Sequence, residues 1–179
     1  MKKNIWVCGV IAGVISVSWG VISEGVVSDS LSLTTRMIFG YATMILAFSL
    51  IFVAIKNYRD SCNGGQITFG KALGIGLWIT LIASTVYVVV WMIDFSYFVP
   101  DFGEKYQAQA IAEMKANGVS AAEIKKQAAE MADTFAKYNA SPTFRAMFTY
   151  FEIAPVGILM SLIAALILKR RSKPITVNA

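Results

Sequence analysis

The sequence predicts an all-α integral membrane protein, with four transmembrane helices and an extracytoplasmic two-helix hairpin between helices three and four. Three observations carry that expectation. The 179 residues are 56% hydrophobic and only 15% charged, with mean hydropathy +0.60, whereas soluble domains run at about 45–50% apolar and about 25% charged. The apolar residues fall into four blocks, near 4–23, 37–55, 72–98 and 147–168. Each reaches the roughly 20 residues that cross a hydrocarbon layer about 30 Å thick. Between the third and fourth blocks lies one polar stretch, 100–141, in which helix-capping patterns recur. A soluble bundle of this length has too little polar surface to cover four such blocks, because small domains bury a limited share of their area.

The first span covers 4–26 and follows Lys2 and Lys3. A cleaved signal peptide competes with it, Ser16-Val17-Ser18 being a small-x-small site. Trp19 follows at once and the apolar run continues to Ile22, so an uncleaved first helix is expected. The second span covers 36–56. A short loop follows, with Gly64-Gly65 as its turn. The third span covers 69–98 and the fourth 142–169, leaving a tail at 170–179. Basic residues set the orientation. Lys2, Lys3, Lys56, Arg59, Lys71, Lys169, Arg170, Arg171 and Lys173 flank one side, whereas the loop after the first span carries Glu24, Asp29 and only Arg36. Both termini are therefore expected in the cytoplasm of a cell whose inner (plasma) membrane holds the protein. The net charge of +5 then records orientation and attraction to anionic headgroups, and no nucleic-acid partner is expected.

The insertion at 101–139 reads as two helices. Asp101 and Glu104 form a D-x-x-E cap, Ser120 and Glu123 an S-x-x-E capping box, and Asn117-Gly118 a stop between them. One face stacks Phe102, Tyr106, Ala110 and Met114, the other Ile124, Ala128, Met131, Phe135 and Tyr138, at helical spacing. Six acids face five lysines there, unlike the basic face of a membrane-lying helix. A hairpin closing on itself or capping the bundle is expected. Ser141-Pro142 starts the fourth span. Trp91, Phe95, Tyr97 and Phe98, with Phe144, Phe148, Tyr150 and Phe151, form either an aromatic belt at the outer interface or the wall of a ligand pocket.

The chain has no histidine and only two cysteines, Cys8 and Cys62. That removes the usual neutral-pH base, histidine-based nucleophile systems and any CxxC metal or redox pair. No metal, cofactor or enzymatic activity is expected. Small residues instead form seams: Gly9, Gly13, Ser16, Gly20 and Ser23; Gly70, Gly74, Gly76, Thr80 and Ser84; Gly157, Ser161 and Ala165. Such seams let helix backbones approach in lipid, whether from the same chain, a second copy or another membrane protein. Counting depth along each span brings Glu24, Arg36 and Asp94 to one outer level. Glu152 falls about one turn deeper and Arg145 above it. Charges at membrane depth are costly unless paired or hydrated, so these five residues are the candidate polar cluster. They read either as ion pairs locking helix ends or as a site for a proton, cation or small ligand. Pro155 withholds an N–H from the carbonyl of Phe151 and is expected to kink the last span beside Glu152.

Several ordered blocks resemble a bacterial membrane family, that of domain of unknown function 4199. They are Phe39-Gly40-Tyr41 through Ala47-Phe48-Ser49-Leu50-Ile51-Phe52, Tyr58-Arg59-Asp60, Gly64-Gly65 and Phe69-Gly70-Lys71-Ala72. Further along come Tyr87-Val88-Val89-Val90-Trp91, Pro100-Asp101-Phe102, Glu104-Lys105-Tyr106 and Phe151-Glu152-Ile153-Ala154-Pro155-Val156-Gly157. The resemblance covers nearly the whole chain and implies a four-span inner-membrane protein with an external helical insertion. It implies no activity and no functional residues. Two functions stay open: a non-enzymatic structural or partner-binding membrane component, or a small oligomeric transport, channel or sensing protein using the outer carboxylate–arginine cluster. The orientation is tested with Lys125→Cys in a chain whose Cys8 and Cys62 are serine. A membrane-impermeant thiol reagent is expected to label intact cells at that position; protection there, with labelling only after lysis, would invert the topology.

Overall fold

Helices form where the apolar blocks and caps put them. The computed structural model describes residues 2–26 and 31–170, and side chains at 3–23 and 31–170. Of these residues, 88% are helical and none lies in a strand. In chain order the helices are α1 (Lys2–Val26), α2 (Leu33–Phe48), α3 (Leu50–Cys62), α4 (Phe69–Tyr97), α5 (Phe102–Ala116), α6 (Ala121–Ala140) and α7 (Pro142–Leu168). Four stretches are long and apolar enough to cross a membrane: Lys3–Ser23, Leu33–Cys62, Phe69–Tyr97 and Pro142–Leu168. Glu24 and Asp29 have side chains outside the described set, as does the tail at 171–179.

Local chemistry explains the boundaries. Ser120 accepts from the N–H of Glu123 at 3.3 Å and Ser141 from that of Phe144 at 3.2 Å, each quieting an orphan donor of a first turn. Gly118, at φ +73, ends α5 in a left-handed turn that L side chains resist, and Val119 N–H reaches back to the Met114 carbonyl. The expected Asp101 cap does not form. Asp101 sits at φ −92, ψ 10 instead of extended, and its carboxylate turns to Lys105 Nζ at 2.9 Å, which also holds it below the usual carboxylate range. The second span is two helical segments where one was expected. At Ser49 the hydroxyl donates to the Leu46 carbonyl at 2.6 Å, and the N–H is shared between Ile45 and Leu46, a local tightening of the kind serine causes mid-helix. Through Pro155 α7 continues unbroken.

Helix α4 is the spine. Where α1 crosses it, a Cβ on Gly13 would stand 2.7 Å from the Ala83 carbonyl and from Val86 Cβ, and one on Gly9 would stand 2.7 Å from Ile82. Where α7 crosses it, a Cβ on Gly76 would meet Ser161 at 2.7 Å, and one on Gly157 would meet Phe48 of α2 at 2.8 Å as well as Thr80. A buried hydrogen bond joins the Thr80 and Ser161 hydroxyls at 3.1 Å, worth about 0.6 kcal/mol in such a setting. The GxxxG of α1 and the Gly157–Ser161 seam of α7 are thus used inside the chain. Phe48, Ile51, Ile55, Ile79, Ala83 and Ile153 are fully buried around them. At the α3–α4 turn, Ile67 and Arg170 exchange backbone hydrogen bonds of 2.9 and 2.8 Å, tying the end of α7 to that turn. At the opposite end α5 and α6 pack alongside each other: Phe102 and Tyr106 meet Phe135, and Gln107 donates to the Ala128 carbonyl.

Replacing Gly13 by leucine is expected to lower stability by about 1–3 kcal/mol, as overpacking does, because it meets the Ala83 carbonyl and the branched Val86 side chain at its Cβ. Gly20→Ala, with open space around the position, is expected to stay within about 0.5 kcal/mol. Thermal unfolding in detergent compares the two; equal melting temperatures would contradict the glycine-distance packing.

Candidate functional site

Beyond the glycine crossings α4 and α7 present large residues, whereas α1 and α2 present Ser16, Gly20, Ser23 and Gly40 beside Trp19 and Tyr41. Ser16 of α1, Met44 of α2, Tyr87 and Trp91 of α4, and Phe148 and Glu152 of α7 line one space. A cleft of ≈ 680 Å³ opens there between α1, α2, α4 and α7, and the side chains of α5 and α6 close over it. That volume falls within the range of small-molecule sites, about 300–1,000 Å³. Its apolar walls carry Trp19, Tyr41, Tyr87, Trp91, Tyr106 and Phe148, and its charged groups are Arg36, Glu123, Glu130 and Glu152. Phe48, Ala83 and Ile153, none of them in the cleft lining, are fully buried in the bundle.

The five residues of the expected cluster occupy separate settings. Glu152 lines the cleft and accepts a 3.4 Å hydrogen bond from the Tyr87 hydroxyl. Arg36 lines it too, and its Nη1 donates to Gln109 Oε1 at 3.2 Å. Gln109 also donates to the Leu31 carbonyl, and Glu113 accepts the Leu33 N–H at 2.7 Å. A carboxylate thus caps the positive end of α2, which fastens α5 to it. Arg145, 6% exposed, chooses carbonyls instead of a carboxylate. Its Nε and Nη2 donate to Tyr138 and Asn139 at 3.2 Å, the last carbonyls of α6, and its guanidinium lies 3.8 Å from the Phe95 ring centre. No carboxylate lies within ion-pair distance of Arg145 among the described residues. Asp94 is 7% exposed, its Oδ2 meets no hydrogen-bond partner, and it stays outside the cleft lining. The side chain of Glu24 is not among those described. The structure therefore brings Arg36 and Glu152 to one cleft and leaves Arg145 and Asp94 out of its walls.

The roof is held by aromatics. Trp91 Nε1 donates to the Tyr138 hydroxyl, and Phe95, Phe102 and Phe135 pack edge-on around that pair. Burial lifts the Tyr138 phenol above its usual range, so it remains a neutral hydrogen-bonding group through mild alkali. Sequence spacing had placed Tyr138 on the apolar face of the second hairpin helix, but it had not singled out Gln109 or Glu113. The available signal was helical periodicity: Gln109 and Glu113 are four apart and share a face.

The family described as "Protein of unknown function (DUF4199)" matches residues 8–170. The chain belongs to this family. No curated protein matches it, and no solved structure does. In this DUF4199 member the match takes in all five cluster positions and the whole lining of the cleft.

Arg145→Met is expected to free the end of α6. Hydrogen bonds to a charged group are worth about 1.5–3 kcal/mol, so amide-exchange protection over residues 131–140 should fall by about 2 kcal/mol. Unchanged protection would mean that Arg145 does not hold α6.

Proposed function

We propose that this DUF4199 chain is a non-enzymatic, four-span protein of the inner (plasma) membrane that captures a small ligand in a cleft open to the outside. Both termini lie in the cytoplasm, and α5 and α6 form the extracytoplasmic hairpin that caps the cleft. Lipid supplies the first partner. Long apolar side chains such as Trp6, Ile38, Leu46, Phe151 and Ile167 point away from the protein, each more than half exposed. Continuous apolar surface of this kind calls for a hydrocarbon environment.

One observation carries the functional reading: a ≈ 680 Å³ cleft reaches an accessible carboxylate, Glu152, at membrane depth. A charge there is costly as mere packing, and a purely structural lock would pair it with an arginine. No cation stands within ion-pair distance of Glu152 among the described residues. Capture fits better than conduction, because the inner half is closed at glycine distances and filled by Phe48, Ile79 and Ile153. Binding is the reading we favour over catalysis, because the sequence contains no histidine and so no histidine-based nucleophile system. A second reading, a partner-binding component, is favoured by one observation. Gly70 and Gly74 of α4 form a small-x-x-x-small step with open space over both residues, room for a helix of a second copy or another protein.

Cysteine access tests the reading. With Cys8 and Cys62 replaced by serine, Gly20→Cys in the cleft is expected to react with a membrane-impermeant thiol reagent that carries a trimethylammonium group, added outside intact cells. Ile79→Cys, in the closed half, is expected to stay unreacted. Protection at residue 20, or equal reaction at both, would remove the outward cleft. Cation or proton flux through liposomes above the protein-free background would replace capture with transport.

A further inference from the structure

We propose that the cleft takes an organic cation: an ammonium, or another singly charged group, carrying a compact apolar portion. This proposal rests on the cleft being a ligand site and specifies what it binds. Charge comes first. Among the described residues, the lining carries three carboxylates, Glu123, Glu130 and Glu152, against one guanidinium, Arg36. The Arg36 guanidinium already donates through Nη1 to Gln109 on α5. The inner end presents Glu152, whose described hydrogen-bond partner is the hydroxyl of Tyr87. A carboxylate there and two at the mouth make a field that concentrates cations and rejects anions.

The walls supply the second half of the recognition. Trp19, Tyr87, Trp91, Tyr106, Phe135 and Phe148 line the same space. Aromatic faces attract weakly hydrated cations, most strongly where water is displaced. The fold already seats one cation this way: the Arg145 guanidinium lies 3.8 Å from the Phe95 ring centre and 5.4 Å from that of Tyr138. A divalent metal ion fits poorly. It needs several oxygen ligands converging on one point, and among the described residues no group of three acidic or cysteine side chains is close enough to hold one. A purely apolar ligand would bury Glu152 without a counter-charge, at the cost that attends any unpaired buried ion.

The ammonium can arrive on a lipid headgroup or on a water-soluble amine, and both present the same chemistry. The test uses the full-length chain in neutral maltoside micelles. Calorimetric titration compares benzyltrimethylammonium with benzylsulfonate, an anion of similar size. The cation is expected to bind saturably and at least tenfold more tightly than the anion. Glu152→Gln should weaken the cation at least tenfold and leave the anion unchanged. Gly20→Phe, which places a ring in the open space over Gly20, should abolish cation binding. If E152Q does not fold, the double variant E123Q/E130Q on α6 should weaken the cation severalfold. Displacement by dihexanoylphosphatidylcholine would assign a headgroup ammonium as the source, and its failure to compete would assign a soluble amine; either supports the proposal. Equal or tighter binding of the anion, lost in G20F, would overturn the cation and keep the cleft as a ligand site. Cation binding that survives G20F or is indifferent to E152Q would overturn the proposal, as would absence of cation binding.

Discussion

The architecture depends on how closely α4 approaches its two neighbours. At Gly9 and Gly13 on one side, and at Gly76 and Gly157 on the other, no Cβ fits without displacing a neighbour. Lipid offers apolar side chains as good a solvent as the protein interior, so helix association there depends on contact and not on escape from water. Close backbone approach maximises that contact. The same distances fix the rotation of α1 and α7 about their axes, and with it which residues look inward one or two turns further along.

The cleft lies where large residues of α4 and α7 face small ones of α1 and α2, Ser16, Gly20, Ser23 and Gly40 among them. Past the crossings, α4 offers Tyr87 and Trp91, α1 offers Trp19, and α7 offers Glu152 and Phe148. The glycines and serines opposite leave space unfilled, so a bundle that is tight at one end opens at the other. Helices α5 and α6 then close over the opening. They are fastened by three unlike contacts: the Glu113 carboxylate on the first turn of α2, the Arg145 guanidinium on the last carbonyls of α6, and the Trp91–Tyr138 hydrogen bond within an aromatic cluster. Each joins a spanning helix to the cap, so the volume beneath has a defined shape.

The apolar blocks made the four long helices legible, because hydrocarbon thickness and helical rise set their length. Ser120, Gly118 and Ser141 were legible as caps, since each acts on its own backbone within a few residues. Asp101 was not, because a lysine one turn away competed successfully for its carboxylate. The candidate cluster was half legible. Depth along a span can be counted, and the counting carried Arg36 and Glu152 to the same end of the bundle. Which face each side chain presents, and which partner it finds, depends on helix rotation and on carbonyls that any residue type can offer. Arg145 took carbonyls of α6 and Arg36 took a glutamine of α5, choices that residue identity alone does not encode.

The contrast between a closed and an open half of one bundle is the central claim, and collision accessibility of a spin label along α1 measures it most directly. Labels at positions 12, 16, 20 and 23 are compared in lipid vesicles using a water-soluble nickel chelate. The account predicts a step: no chelate access at 12, where Ala12 is fully buried, and clear access at 20, which lines the cleft with open space around it. Uniform exclusion along all four positions, or access that extends to 12, would contradict it.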